Sequence, residues 1–132
     1  MHSEELITLS KYRLQQAKEM LIDSELMLEN GRYKTCNNRA YYAIFHAMRA
    51  VHALSGFDSG KHSGIISEFQ RVYIKTGIFD KECSIIIKSA SEIRNDSDYE
   101  DFYITSRDEA AEQLANAKVF VDKVEKYLLS QY

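Results

Sequence analysis

The chain has 132 residues, of which 45% are hydrophobic and 28% charged, with a formal net charge of −3. That balance fits one globular domain over residues 1–132; it excludes a disordered polymer and a chain drawn as a whole to nucleic acid, and leaves room only for a local basic site. There is no proline, the residue that helix interiors tolerate worst, so the composition favours long helices joined by short connections.

The first predicted helix runs from about Glu4 to Glu29. Ser3 can cap it, and Ile7, Leu14, Ala17, Leu21 and Leu28 fall on one apolar stripe that Leu6 widens. Asn30-Gly31 stops it, since both residues tolerate a left-handed backbone. A second helix, about Arg32 to Leu54, holds the most apolar stretch of the chain and should lie at the centre. After a polar, glycine-containing loop, a third helix spans about His62 to Thr76 and closes at Gly77. Asp80 caps a fourth, which ends near Asn95. There Cys83, Ile86, Ile87, Ala90 and Ile93 share a face, and this outweighs the strand preference of Ile85-Ile86-Ile87. Residues 95–105 read as a polar, aromatic loop. Ser106 and Glu109 form a capping-box pattern ahead of a fifth helix, in which Ala110, Leu114, Ala117, Val121, Val124 and Leu128 recur at helical spacing. The expected fold is all-α, an up-and-down bundle of about five helices.

Chemistry concentrates in three places. On the second helix Asn38, Tyr42 and Arg49 lie within about 40° of one another at ~100° per residue, with His46 at the edge of that face. They form either a buried polar network that fixes helix pairing or a pocket able to hold phosphate. Lys61 and His62 open the third helix, where free N–H groups and a lysine offer an anion site or merely a surface turn. Arg94 closes the fourth helix beside Asn95, Asp98 and Tyr99; it either pins the loop through Asp98 or Asp101 or serves as a binding or catalytic arginine.

Cys36 and Cys83 form no metal-type or redox-type pair and read as reduced thiols. No histidine and carboxylate spacing forms a metal site, and no phosphate loop or cofactor motif occurs. No apolar run approaches the ~20 residues of a membrane span. A cytoplasmic location is expected.

Three stretches occur together: Arg39-Ala-Tyr-Tyr-Ala-Ile-Phe-His46; Lys61-His-Ser-Gly64 followed by Phe69 and Val72 to Gly77; and Arg94 with Asp98-Tyr99. As a set, across roughly residues 5 to 128, they resemble a small prokaryotic branch of the HEPN family. The resemblance implies a helical bundle that is usually a homodimer, often encoded beside a minimal nucleotidyltransferase in toxin–antitoxin or defence pairs. Many members are metal-independent endoribonucleases, whose motif is an arginine, commonly followed by a polar residue, with a histidine after four to six intervening positions. Arg94-Asn95 match its start, but positions 99 to 101 are Tyr99, Glu100 and Asp101. The leading expectation is therefore a homodimeric interaction module for a nucleotidyltransferase, with RNA or nucleotide held by Arg94, Tyr99 and the helix-two face. The alternatives are a toxin ribonuclease in which Arg94 stabilises phosphate charge and His46 is the acid or base, and a purely structural dimer. The hydroxyls of Tyr99 and Tyr103 are also candidates to accept a nucleotide from the partner enzyme.

Overall fold

The computed structural model describes residues 2–132. Five helices form an all-α, up-and-down bundle: α1 Glu4–Glu29, α2 Tyr33–Ser55, α3 His62–Phe69, α4 Lys81–Tyr99 and α5 Arg107–Gln131. A π turn, Gln70–Ile74, prolongs α3. The caps follow from side-chain chemistry. Ser3, Asp80 and Ser106 each accept the backbone N–H three residues on, satisfying a donor that the helix itself cannot. Gly31 and Gly56 close α1 and α2 in the left-handed conformation, which costs glycine little.

The second helix is the central one and packs against all four others. It lies against α1 through small residues. Ser10, Ala17 and Ser24, spaced seven apart on α1, face Ala40, Ala43, Ala47 and Ala50 of α2, all buried. Short side chains allow a close approach, and the two serines satisfy themselves on carbonyls of the neighbouring helix: Ser10 Oγ donates to Ala50 O at 2.7 Å and Ser24 Oγ to Cys36 O at 2.9 Å. On the other side α2, the π turn and α5 enclose an aromatic cluster of Phe69, Tyr73, Phe79 and Phe120, with ring centroids 5.2–5.7 Å from Phe69. Of the apolar positions expected on α4 and α5, Cys83, Ile86, Ile87 and Ala90, and Ala110, Leu114, Ala117, Val121, Val124 and Leu128, are buried, while Ile93 is half-buried.

Two expectations need correction. The fourth helix does not end near Asn95 but continues to Tyr99, so Asn95, Asp98 and Tyr99 are helical and Arg94 is not a last-turn residue. Asn, Asp and Ser disfavour helices because they compete for the backbone, but here tertiary partners decide. Ser97 is buried against Asn37 and Thr105, and Asp98 is held by Arg94 and Asn38. The capping box is also only half formed: Ser106 caps, while the Glu109 carboxylate accepts from Tyr103 Oη and Asn37 Nδ2.

Candidate functional site

The polar face of α2 divides into two clusters rather than one. Towards its C-terminal end Arg49 reaches Asp58 at 3.2 Å, and Arg13 of α1 reaches the same carboxylate at 3.4 Å while donating to Arg49 O. Two cations on one carboxylate hold the Asp58 pKa down, the Ser59 N–H being the largest cause. This arrangement pins the loop between α2 and α3. Ser59 in that loop accepts Lys61 N–H, and Gly64 leaves space for Ser59: a Cβ at 64 would strike the Ser59 hydroxyl and lie 3.0 Å from its Cβ. The loop thereby delivers His62, the first residue of α3, onto α2. Lys61 itself stays exposed.

The second cluster joins α2 to α4. Arg94 Nε donates to Asp98 Oδ2 at 3.2 Å, one helical turn on, and Nη2 donates to Tyr42 Oη at 3.3 Å. Asn38 Nδ2 donates to the same Asp98 oxygen at 3.2 Å. The guanidinium also lies over the rings of Tyr41, Tyr42 and Tyr99, at 5.1, 5.6 and 5.6 Å from their centroids. Carboxylate and tyrosine faces hold the cation in one orientation before any ligand arrives. Nη1 is left without a protein partner.

Arg94 and His62 open into one cleft of about 180 Å³, which Tyr41, Ser63, Ile66, Ser91 and Asn95 complete. His62 Nδ1 lies 2.9 Å from the Tyr41 hydroxyl, and its ring packs on Phe45 with centroids 4.1 Å apart. Burial, then the nearby cations Arg94 and Arg49, lower the His62 pKa. The imidazole is therefore neutral near neutral pH, with Nδ1 engaged and Nε2 directed away from that bond. A fixed guanidinium beside a neutral imidazole can hold a phosphate oxygen and exchange a proton with a neighbouring group.

Of the residues singled out from the sequence, Arg94, His62 and Asn95 line the cleft. Asn38, Tyr42, Asp98 and Tyr99 surround Arg94. Arg49 of α2 anchors, and Lys61 lies in, the loop that presents His62. His46 is beside Tyr42 and Phe45, with ring centroids 6.1 and 5.9 Å away, but does not line the cleft; its Nδ1 is buried without a partner, and burial lowers its pKa. Sequence reasoning did not place Tyr41, Ser63 and Ser91. Tyr41 stood inside the Ala-Tyr-Tyr-Ala stretch, the one signal that pointed to it. Burial, then the hydrogen bonds that Tyr103 Oη donates to both Glu109 oxygens, push its pKa up to about 12, whereas Tyr99 is 71% exposed. Among the described residues no group of three or more His, Cys, Asp or Glu side chains is placed to hold a metal, and no helix is long and apolar enough to cross a membrane.

A short helical bundle with an arginine-centred polar cleft between its second and fourth helices defines the class of domain, and comparison places it. The HEPN domain model matches residues 10–127, and the chain belongs to that family. It is 31% identical over 118 residues to a UPF0332 protein of Thermotoga maritima, covering 89% of each chain. It is 34% identical over 111 residues to a UPF0332 protein of Archaeoglobus fulgidus, covering 84% of this chain and 88% of that one. A Methanocaldococcus jannaschii protein named "Putative toxin" is 29% identical over 118 residues, which is 89% of this chain and 80% of its own.

Proposed function

We propose that this chain is the HEPN component of a toxin-type pair, working as a cytoplasmic homodimer with a nucleotidyltransferase partner and holding an RNA or nucleotide phosphate at Arg94 and His62. One observation carries the reading: a preorganised guanidinium and a neutral imidazole share a single cleft. The family and the name of the Methanocaldococcus relative support the toxin part. The homodimer part is supported by Tyr99, Phe102 and Ile104, 71%, 100% and 88% exposed on the end of α4 and the connection to α5, an apolar patch of the kind that a second copy covers. Titration of a fluorescent dinucleotide into wild type, Arg94→Ala and His62→Ala tests it. Saturable binding lost in both variants is expected; equal binding by all three would overturn it.

A second reading has its own support, since positions 99 to 101 carry no histidine but His62 lines the same cleft as Arg94. In that reading the chain is a metal-independent ribonuclease. His62 Nε2 takes the 2′-hydroxyl proton, the 2′-oxygen attacks phosphorus, the P–O5′ bond breaks, and Arg94 stabilises the added charge. The leaving O5′ takes a proton from water, and the imidazolium formed at His62 returns its proton to solvent. RNA cleavage by the purified wild type, absent from His62→Ala and kept by His46→Ala, is the expected result. No cleavage by a folded wild-type dimer would leave binding alone.

A further inference from the structure

The Arg94–His62 cleft is not isolated. It shares Ser63, Ile66 and Ser91 with a neighbouring cavity of about 310 Å³, which in turn shares Ile66 and Lys88 with a groove of about 790 Å³. One wall is α4. Lys81, Ser84, Lys88, Ser91 and Asn95 follow one another at steps of three and four, so they form a single polar stripe along that helix. The other wall is α3 with its π turn, which contributes Ile66, Gln70, Ile74 and, at the far end, Lys75. The floor is apolar and the rim carries three lysines. Lys75, Lys81 and Lys88 are exposed and take part in none of the ion pairs that engage Lys18, Lys118, Lys123 and Lys126. Glu92 is the one carboxylate on the lining, at the middle cavity.

We infer that this groove is the track along which a single-stranded RNA runs away from the phosphate held at Arg94 and His62. The inference rests on the phosphate-binding reading of the cleft and extends it to a substrate class and a direction. Unpaired lysines along a rim can meet backbone phosphates; Lys81 and Lys88 on α4 stand ~10 Å apart at the helical rise, about three stacked nucleotides. An apolar floor between them accepts base faces without reading their edges, so binding is tolerant of sequence. From Lys81 to Asn95 the stripe is ~21 Å long at the α-helical rise. At ~3.4 Å per stacked nucleotide this accommodates about six nucleotides. Charge decides against an acidic-poor apolar helix as the occupant, since such a segment would leave three lysines unanswered.

The test uses oligoribonucleotides of about two to about twelve residues, titrated by anisotropy into the full chain at several salt concentrations. The variants are wild type, Arg94→Ala, Lys88→Gln and the triple Lys75→Gln/Lys81→Gln/Lys88→Gln. The lysines are exposed, so the variants should keep the fold, which thermal unfolding checks. Wild-type affinity should rise with length to about six nucleotides and then level off, and the triple variant should lose about tenfold or more on the longer strands while binding the dinucleotide like wild type. Its salt slope should fall by ~2, at ~0.7 for each lost phosphate contact. Long strands bound equally by wild type and triple variant overturn the track, including the case in which the groove instead takes a protein segment. Failure of the cleft reading looks different: dinucleotide binding is absent or indifferent to Arg94→Ala, while the lysine dependence of long strands remains and still supports the track.

Discussion

The Tyr41 hydroxyl lies 2.9 Å from His62 Nδ1, and the two rings stack with centroids 5.8 Å apart, so a residue of α2 sets the orientation of the first residue of α3. The same Tyr41 ring lies under the Arg94 guanidinium. Tyr41→Phe keeps the ring and removes the bond. It should cost about 1 kcal/mol of stability and weaken dinucleotide binding several-fold through a freed imidazole. Chemical denaturation and anisotropy on the same samples check both. A variant that binds like wild type would show that the hydroxyl plays no part in positioning His62.

Asp98 separates a structural role for Arg94 from a binding role. The pair is largely shielded, with side chains 16% and 21% exposed. Asp98→Ala should therefore destabilise by about 1.5–3 kcal/mol, the range for hydrogen bonds to charged groups. It also removes the carboxylate that orients the guanidinium, so phosphate affinity should fall several-fold as the cation loses its fixed orientation. Affinity that holds or improves would show that Asp98 plays no part in preorganising Arg94 for a ligand.

Acid should weaken the fold in a defined window. His46, His52 and His62 all have lowered pKa values, with burial the first cause in each. His52 is fully buried, and its Nε2–H donates to Ile65 O at 2.9 Å, leaving Nδ1 buried without a partner. With folded pKa values below the unfolded value of about 6.5, the unfolded chain binds more protons between the two. Stability is therefore fully present above about pH 6.5 and declines as pH falls through the unfolded value towards the folded ones. Urea midpoints at about pH 7.5 and about pH 5.5 should differ in that direction. His52→Gln should flatten part of the slope, and a midpoint independent of pH over this range would contradict the account.

The connection between α4 and α5 offers a test of self-association. Phe102 is fully exposed and adopts φ +62°, a conformation uncommon for a residue with a side chain. Phe102→Ser/Ile104→Ser removes exposed apolar surface, so monomer stability should stay within about 0.5 kcal/mol. Sedimentation equilibrium should show dimerisation weakened by about tenfold, or 1.4 kcal/mol. An unchanged dimer would place the contact elsewhere.

Gly64 can be probed through its neighbour. Gly64→Ala should displace Ser59 and release Lys61 N–H, loosening the loop that carries His62. Binding should fall, and Ser59→Gly, which removes the same hydroxyl acceptor without the clash, should lower it too. No effect of the single change would mean the loop does not hold His62.

The helices were legible because their apolar spacing, caps and stops agreed: Ser3, Asp80 and Ser106 cap as their positions implied, and Gly31 and Gly56 end α1 and α2. The continuation of α4 to Tyr99 was not legible, since Asn95, Asp96, Ser97 and Asp98 argue locally against a helix and their partners lie on α2 and in the loop before α5. The π turn left no periodic signal. Nothing in the apolar spacing singled out Arg13, Ser10 and Ser24, yet each is buried with its polar atoms on α2 or Asp58. Arg94 was visible as an isolated cation beside a polar run. That His62 would stand next to it was not, because 32 positions separate them in the sequence and only the packing of α3 and α4 onto α2 brings them to one cleft.

The shared cleft is tested most directly at the histidine itself. The ¹⁵N-labelled imidazole of His62 can be followed by NMR while a dinucleotide is added to wild type and to Arg94→Ala. The account predicts that its nitrogen shifts move saturably in wild type, that its pKa rises as a phosphate anion joins the site, and that both responses vanish in Arg94→Ala. A His62 signal that stays still while the dinucleotide binds, or that responds equally without Arg94, would contradict it.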